Sequence, residues 1–363
     1  MIHQLELTRF RRYDRLFLEP HPRLNLVVGL NAHGKTTLLE AVYALAMTRS
    51  HKPAPDEALI QKGSEYAKIE ALTTFDDRQV RMSLVIAKTG KRAKYNRVEM
   101  ARLSDYVGRL NVVMFAPEDL DLIKGGPAER RRFLDMEIGQ LSPPYLSALS
   151  QYRKTLKTRN EVLKGRQSGK KYDEALLEVL TERLARQAAR IVDERAAFVL
   201  ELDRMLKVVQ PLISETDPAI RLTYVPSISQ DFQSELMRRR SHDVRQGTTT
   251  SGPHRDDVHF HFGDVPLKPF ASQGQIRTVV LALKLAVAEL IHRQLKRYPV
   301  ILLDDVFSEL DDARQRNLLK HLNPRTQVFI TTTALGSLQA LTLPAHAIIH
   351  IHEGTLKGVE HHG

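Results

Sequence analysis

Leu24-Asn25-Leu26-Val27-Val28-Gly29-Leu30-Asn31-Ala32-His33-Gly34-Lys35-Thr36 decides how this chain is read. An apolar, β-branched run suits a buried strand, and it leads straight into G-x-x-x-x-G-K-[ST], a complete phosphate loop. Thr37-Leu38-Leu39-Glu40-Ala41-Val42-Tyr43-Ala44-Leu45 follows with helical spacing and no breaker. Strand, glycine loop and helix stand in the order that phosphate binding needs. Gly29 and Gly34 let the backbone curl so that its N–H groups face phosphate oxygens. The helix N-terminus adds partial positive charge. Lys35 can reach the β- and γ-phosphates, and the Thr36 hydroxyl can ligate Mg²⁺. Gly29, Asn31, Gly34, Lys35, Thr36 and Thr37 form the expected nucleotide-binding set.

The chain has 363 residues, enough for one large domain or two ordinary ones. Its formal charge of +11 favours polyanionic partners such as nucleic acid or an acidic membrane surface. Absence of cysteine excludes disulfides and thiolate-ligated zinc. No apolar run reaches the length of a membrane span, and the alternating Met1–Leu7 stretch lacks the apolar core of a signal peptide. The expectation is a soluble cytoplasmic protein. His259 and His261 would share one face of a strand, where packed or solvated histidines are expected over metal ligands.

Organisation along the chain is α/β with a helical interruption. Strands are expected at Leu5–Phe10, Leu16–Glu19, Leu24–Val28 and Asn111–Phe115, with a β-ribbon at Ala67–Phe75 and Val80–Ile86. Ala128–Gln140 is charged with helical spacing, and Pro143-Pro144 opens a helix to about Lys164. After a basic turn at 164–171, Tyr172–Gln210 holds no proline or glycine and carries Leu177, Leu180, Leu184, Ala188 and Ile191 on one face. An antiparallel helical hairpin ended by Pro211 is predicted, packed on the head or projecting as an arm. Strands return at Leu222–Val225, Val258–Phe262, Val300–Leu303, Val328–Thr332 and Ile348–Ile351, with helices at Gln275–Leu295 and Ala313–Leu322. One sheet would therefore be split across the chain.

Three further motifs narrow the chemistry. Pro299-Val300-Ile301-Leu302-Leu303-Asp304-Asp305 is an apolar strand ending in carboxylates, the Walker B arrangement. Asp304 would hold the Mg²⁺ shell, and Asp305 would polarise the attacking water. Ser308-Glu309-Leu310-Asp311 follows at once. Upstream, Ala271-Ser272-Gln273-Gly274-Gln275 opens a long helix, with Ser272 as N-cap and Gly274 allowing close backbone approach to a ligand. Each alone is weak. In this order, after a phosphate loop, they reinforce one another.

The order resembles the ATP-binding cassette ATPases, with Ser272–Gln275 as signature motif and Ser308–Asp311 as D-loop. More narrowly, the sequence resembles the bacterial RecF family, relatives of SMC proteins with a shorter helical insertion, over essentially its whole length. Phe10-Arg11-Arg12-Tyr13, Gly29–Tyr43, Phe115–Asp121, Gly126-Pro127 with Arg130–Asp135, Ser251–Asp257, Phe270–Arg277 and Leu302–Asp311 carry the likeness. The resemblance implies an ATPase head at 1–120 and 246–363 and a helical insertion at 121–245. It also implies an ATP-dependent homodimer in which Ser272, Gly274, Gln275 and Asp311 of one copy meet the nucleotide held by another. DNA at gaps between duplex and single strand, without sequence preference, and the RecO and RecR proteins are the implied partners, with RecA loading as the outcome. Lys35, Asp304 and Asp305 are the expected catalytic residues of a weak Mg²⁺-dependent ATPase.

Candidate phosphate contacts to DNA are Arg130–Arg132, Arg153, Lys154, Lys157 and Arg238–Arg240. Arg11 and the run Arg49-Ser50-His51-Lys52 are candidate nucleotide contacts. Thr331-Thr332-Thr333 stands where many cassette ATPases carry a γ-phosphate-sensing histidine, and Glu118 stands near the place of their Mg²⁺-ligating glutamine. The missing histidine and Asp305 in place of a glutamate predict slow turnover. A transporter ATPase subunit would not need the 144–210 hairpin, and a small-molecule kinase would need neither Ser272–Gln275 nor Ser308–Asp311.

Overall fold

The computed structural model describes residues 1–76, 78–167, 173–214, 217–229, 231–307, 310–333 and 343–363. The chain divides into two units. The first comprises Met1–Leu120, Met205–Asp217 and Ser272–Gly363, the second Asp121–Arg204 and Pro218–Ala271.

The first unit holds two six-stranded sheets. One is antiparallel, built from β1 (Ile2–Phe10), β2 (Tyr13–Leu18), β4 (Tyr66–Phe75), β5 (Arg78–Ala87), β6 (Gly90–Tyr95) and β7 (Val98–Glu99) in the order β2-β1-β4-β5-β6-β7. The other gathers β3 (Leu24–Val28), β8 (Val112–Phe115), β12 (Val300–Leu303), β13 (Val328–Thr332), β14 (His346–His352) and β15 (Thr355–His362) in the order β15-β14-β3-β13-β12-β8. Five of its strands, from β14 to the edge strand β8, are parallel, and β15 at the other edge runs antiparallel. β8, β12 and β13 are buried at every residue, as continuous apolar runs in a parallel sheet require. This is the predicted split sheet.

Helix α1 (Lys35–Met47) packs against β8 and β13 of this sheet and against β4 and β5 of the antiparallel one. It is apolar nearly all round because both sheets cover it. Burial of Leu38, Leu39, Val42 and Leu45 contributes about 1.5–3 kcal/mol each. Helix α9 (Gln273–Leu295) packs on β8, and α10 (Asp312–His321) follows β12.

The second unit contains α2 (Asp121–Lys124), α3 (Pro127–Leu141), α4 (Pro143–Gln167), most of α5 (Glu174–Ile213), α6 (Phe232–Arg238), α7 (Arg240–Gln246) and α8 (Leu267–Phe270). A small antiparallel sheet of β9 (Ile220–Val225), β10 (Asp257–Phe262) and β11 (Val265–Pro266) completes it. Side-chain bonds Tyr145–Arg195, Gln151–Gln187 and Arg159–Thr181 run in opposite directions along α4 and α5, so the two helices are antiparallel. α4 is packed on α3 and α7, where the buried Tyr145 hydroxyl donates to Asp135 of α3 and buried Arg159 pairs with Asp243 of α7.

Two details differ from the sequence reading. Pro211 does not end α5, which continues to Ile213: a proline removes one backbone donor, and the helix carries on for half a turn. α4 extends through Gln167, and the rest of the expected basic turn lies outside the described residues. The units also follow contacts rather than chain order. β9, β10 and β11 pair with one another inside the second unit, whereas 205–217 belongs to the first. Among the described residues, no helix is long and apolar enough to cross a membrane.

Candidate functional site: a phosphate loop braced on two sides

The loop between β3 and α1 is held by elements far away in sequence. Gly34 has φ +114°, which favours glycine, and its carbonyl accepts a 3.0 Å hydrogen bond from the buried Tyr13 hydroxyl. The Arg12 guanidinium donates to the Ala32 carbonyl. On the other side, the Gly354 N–H donates to the His33 carbonyl at 2.8 Å, and the His33 ring meets His352 edge-on at 4.6 Å. A Cβ on Gly29 would lie 2.3 Å from the Ile351 carbonyl oxygen. Glycine is thus required there by the β14–β15 hairpin.

Inside the loop, Lys35 is 4% exposed, and its ammonium donates to the carbonyls of Gly29 (2.9 Å) and Leu30 (3.1 Å). Thr36 Oγ1 donates to Asp304 Oδ1 at 2.9 Å. The Thr331 hydroxyl donates to the same oxygen at 2.9 Å and accepts from the Asp305 N–H at 2.8 Å. Asp304 itself is tied to β8 through its N–H and the Phe115 carbonyl. Burial, then the neighbouring Asp305 charge, hold the Asp304 carboxyl above the usual aspartate range. Asp305 sits at φ +52°, an uncommon conformation for a side-chain-bearing residue and one that recurs at functional sites.

These residues fit a magnesium nucleotide. Gly34 turns the loop through a backbone conformation that favours glycine, and Lys35 supplies a cation within it. Thr36 and Asp304 present a hydroxyl and a carboxylate to one point, the hard oxygen donors that Mg²⁺ prefers.

The expected signature residues lie elsewhere in the same unit and bond to one another. Ser272 and Gln275 form a reciprocal capping box at the start of α9, with distances of 3.2 and 3.0 Å. A Cβ on Gly274 would lie 4.0 Å from the Ser272 Oγ, an ordinary contact. Asp311 caps α10 by accepting from the Arg314 N–H at 2.9 Å. Asp217 joins the two helix starts, accepting from the Gln275 amide at 3.4 Å and lying 3.8 Å from the Arg314 guanidinium. Ser308 and Glu309 lie outside the described residues. Asn31 is exposed on the loop, and Thr37 lies in the first turn of α1.

Arg11 is placed differently from the nucleotide contact expected of it. Its guanidinium pairs with the buried Glu40 of α1, which also accepts from the Ser50 hydroxyl. Its neighbour Arg12 is the residue that touches the loop. Sequence reasoning also missed Tyr13, Gly354 and Asp217, and took Thr331 only as a missing histidine. Lys52 and Glu118 pair at 2.7 Å, and His51 is buried beside them.

Many of the arginines expected to face DNA have structural partners. Arg130 bonds both Asp257 oxygens, Arg131 the Asp256 carbonyl, Arg153 Asp135, and Arg238 and Arg239 share Glu235. Lys154 and Lys157 are exposed. Among the described residues, no group of three or more His, Cys, Asp or Glu side chains could hold a metal ion; His259 and His261 meet each other at 6.3 Å between ring centres.

With this geometry in hand, the likeness to known proteins is specific. A family profile described as "RecF/RecN/SMC N terminal domain" matches residues 1–352. "DNA replication and repair protein RecF" of Bacillus subtilis (strain 168) is 43% identical over 366 residues, covering 98% of this chain and 99% of that protein. This chain belongs to the RecF family. The RecF of Staphylococcus aureus (strain JH9) is 40% identical over 98% of this chain and 99% of its own length. A solved structure described as the recombination mediator protein RecF-ATP in the RecFOR pathway superposes with a TM-score of 0.90 at 31% identity, covering 100% of this chain and 97% of that one. An Smc head from Pyrococcus furiosus, at TM-score 0.55 and 16% identity, shares the fold. The RecF likeness therefore spans the whole chain, both units included.

Proposed function

We propose that this chain is an ATP-switched DNA-binding protein of recombinational repair and replication, a cytoplasmic partner of RecO and RecR. The observation that carries the reading is the meeting of Lys35, Thr36 and Asp304 at the mouth of a glycine-braced loop. Lys35 and the loop N–H groups would hold the β- and γ-phosphates. Mg²⁺ between Thr36 and Asp304 would neutralise charge on those oxygens. Asp305 would orient the attacking water, with its backbone fixed by Thr331.

Ser272, Gly274 and Gln275 start a helix whose N-terminus suits an anion. Facing a second copy, they would cap the γ-phosphate held by the partner. Charge-assisted bonds of about 1.5–3 kcal/mol each, in two symmetric sites, can convert a weak contact between heads into a populated dimer. Loss of the γ-phosphate removes what both copies hold in common, so the pair loosens. Slow hydrolysis makes this a timed switch. The paired form would bind gapped DNA through phosphates and promote RecA loading with RecO and RecR.

Sizing chromatography with and without ATP, joined to binding of gapped and fully paired DNA across a salt series, tests the reading. An ATP-dependent shift from monomer to dimer with preference for the gapped substrate is the expected result. A chain that stays monomeric with ATP, or binds both DNAs equally whether or not ATP is present, overturns it.

A further inference from the structure

The second unit contains a cavity of about 290 Å³, bounded by β10, β11, α3 and α8 together with Ile123 of α2. At that size it holds about one amino-acid residue, at the small end of ligand sites. Ile123, Phe260 and Pro266 supply apolar surface, and His259, His261 and Lys268 supply polar groups.

The charge balance of the cavity favours an anion. Asp257, the acidic residue in its wall, is neutralised by both arms of Arg130, whose remaining nitrogen donates to the Leu122 and Gly125 carbonyls. Lys268 uses one of its three donors on the Gly125 carbonyl, and among the described residues no carboxylate pairs with it. The His261 Nδ1 atom is buried and lacks a hydrogen-bond partner among the described residues. An unpaired ammonium and a wanting imidazole nitrogen thus stand beside apolar walls.

The surroundings indicate a protein as the source of that anion. Val265 on β11 is 49% exposed, and Phe270 at the end of α8 is 72% exposed. Both belong to elements that build the cavity. Unpartnered apolar side chains beside a pocket are what a peptide buries, whereas a nucleic-acid backbone presents charged phosphates with nothing to match Ile123, Phe260 and Pro266. A single residue carrying both an apolar side chain and a carboxylate is the last residue of a polypeptide.

We infer that this cavity captures the carboxyl terminus of a partner protein, the carboxylate at Lys268 and His261 and an apolar last side chain against Ile123, Phe260 and Pro266. The inference stands apart from the nucleotide switch, since none of these residues belongs to the phosphate loop or the signature.

The probe is a panel of fluorescein-labelled hexapeptides ending in Leu, Ile, Phe or Val, each made as free acid and as amide, titrated against the full chain by anisotropy. At least one free acid should bind, its amide at least 10-fold more weakly, and Lys268→Glu should lose the difference while Val265→Ser weakens both forms. Lys268→Met, which keeps the aliphatic stem, separates charge from folding and should also bind acid and amide alike. Failure of every peptide, equal binding of acid and amide by the wild type, or unchanged preference in Lys268→Met overturns the inference. ATP-dependent dimerisation, read on the same samples, tells this failure apart from failure of the switch.

Discussion

Thr36 and Asp304 lie 268 positions apart in the chain and share a hydrogen bond of 2.9 Å. The contact joins the first turn of α1 to the residue that follows β12, and those elements meet because β3, β13 and β12 are neighbours in one parallel sheet. Loops at the carboxyl ends of such strands converge on one crevice. The sheet order therefore creates the site, and the residues at the strand ends give it its chemistry.

Lys35 carries the only side-chain cation inside the phosphate loop among the described residues. Lys35→Ala should lower ATP affinity by roughly 10- to 150-fold, the equivalent of one charge-assisted hydrogen bond. Isothermal titration with ATP measures it, and affinity within a factor of two of wild type would remove Lys35 from the phosphate site.

Asp305→Asn should bind ATP normally, hydrolyse it at least 100-fold more slowly and accumulate dimer. Asparagine tolerates the left-handed backbone at this position, so the fold should survive. Phosphate release, followed alongside sizing, decides the point. Equal turnover by variant and wild type would mean that Asp305 does not orient water.

Ser272→Arg should abolish the ATP-dependent dimer while leaving nucleotide affinity intact. It also removes the capping box of α9, at a cost of about 0.5–2 kcal/mol in stability. Ser272→Ala loses the cap without adding bulk and serves as the control. Should both variants dimerise with ATP as wild type does, the signature is not at the interface.

Arg159 and Asp243 form an ion pair at 2.9 Å with both side chains fully buried. Removing one partner strands the other, so Arg159→Ala should destabilise the protein by about 3–5 kcal/mol. The double variant Arg159→Leu/Asp243→Leu should recover part of that loss. Urea denaturation of the three proteins gives the comparison.

His51 gives the protein an acid-sensitive limb. Burial, opposed in part by Glu40 and Glu118, pushes its pKa down to about 4. The unfolded chain protonates the same imidazole near the ordinary pKa of about 6.5. Between those values the unfolded state binds more protons, so stability falls as pH drops from 6.5 towards 4, by on the order of 3 kcal/mol from this group. His51→Gln should flatten that part of a plot of urea midpoint against pH. An unchanged slope would show that His51 does not titrate there.

Much of this architecture is legible in sequence because it is local. The phosphate loop, the β12 strand with its carboxylates and the Ser272 cap are each written within a few consecutive residues, and the structure forms them where the spacing places them. The braces are not local. Tyr13 at the start of β2, Arg12 in the turn before it and Gly354 in the turn between β14 and β15 act on the loop from outside it, and nothing in their own neighbourhoods says which loop they brace. Asp217 is similarly silent, since its partners Gln275 and Arg314 lie on two helices far downstream. Arg11 misled because its pattern in Phe10-Arg11-Arg12-Tyr13 does not reveal which of two adjacent arginines turns toward Glu40. Thr331 is the clearest case: one hydroxyl bridges Asp304 and the Asp305 backbone, yet in the sequence it reads only as an absent histidine.

β3, which carries the phosphate loop, is flanked by β13 on one side and β14 on the other. Both neighbours are encoded after residue 327, so during synthesis β3 leaves the ribosome long before either exists. The nascent chain must carry a short apolar strand with two bare edges through most of translation. Nucleotide grip consequently arrives late, as one of the last things a growing copy acquires, and a prematurely terminated product lacking β13 and β14 would compete poorly with finished molecules for the cell's ATP.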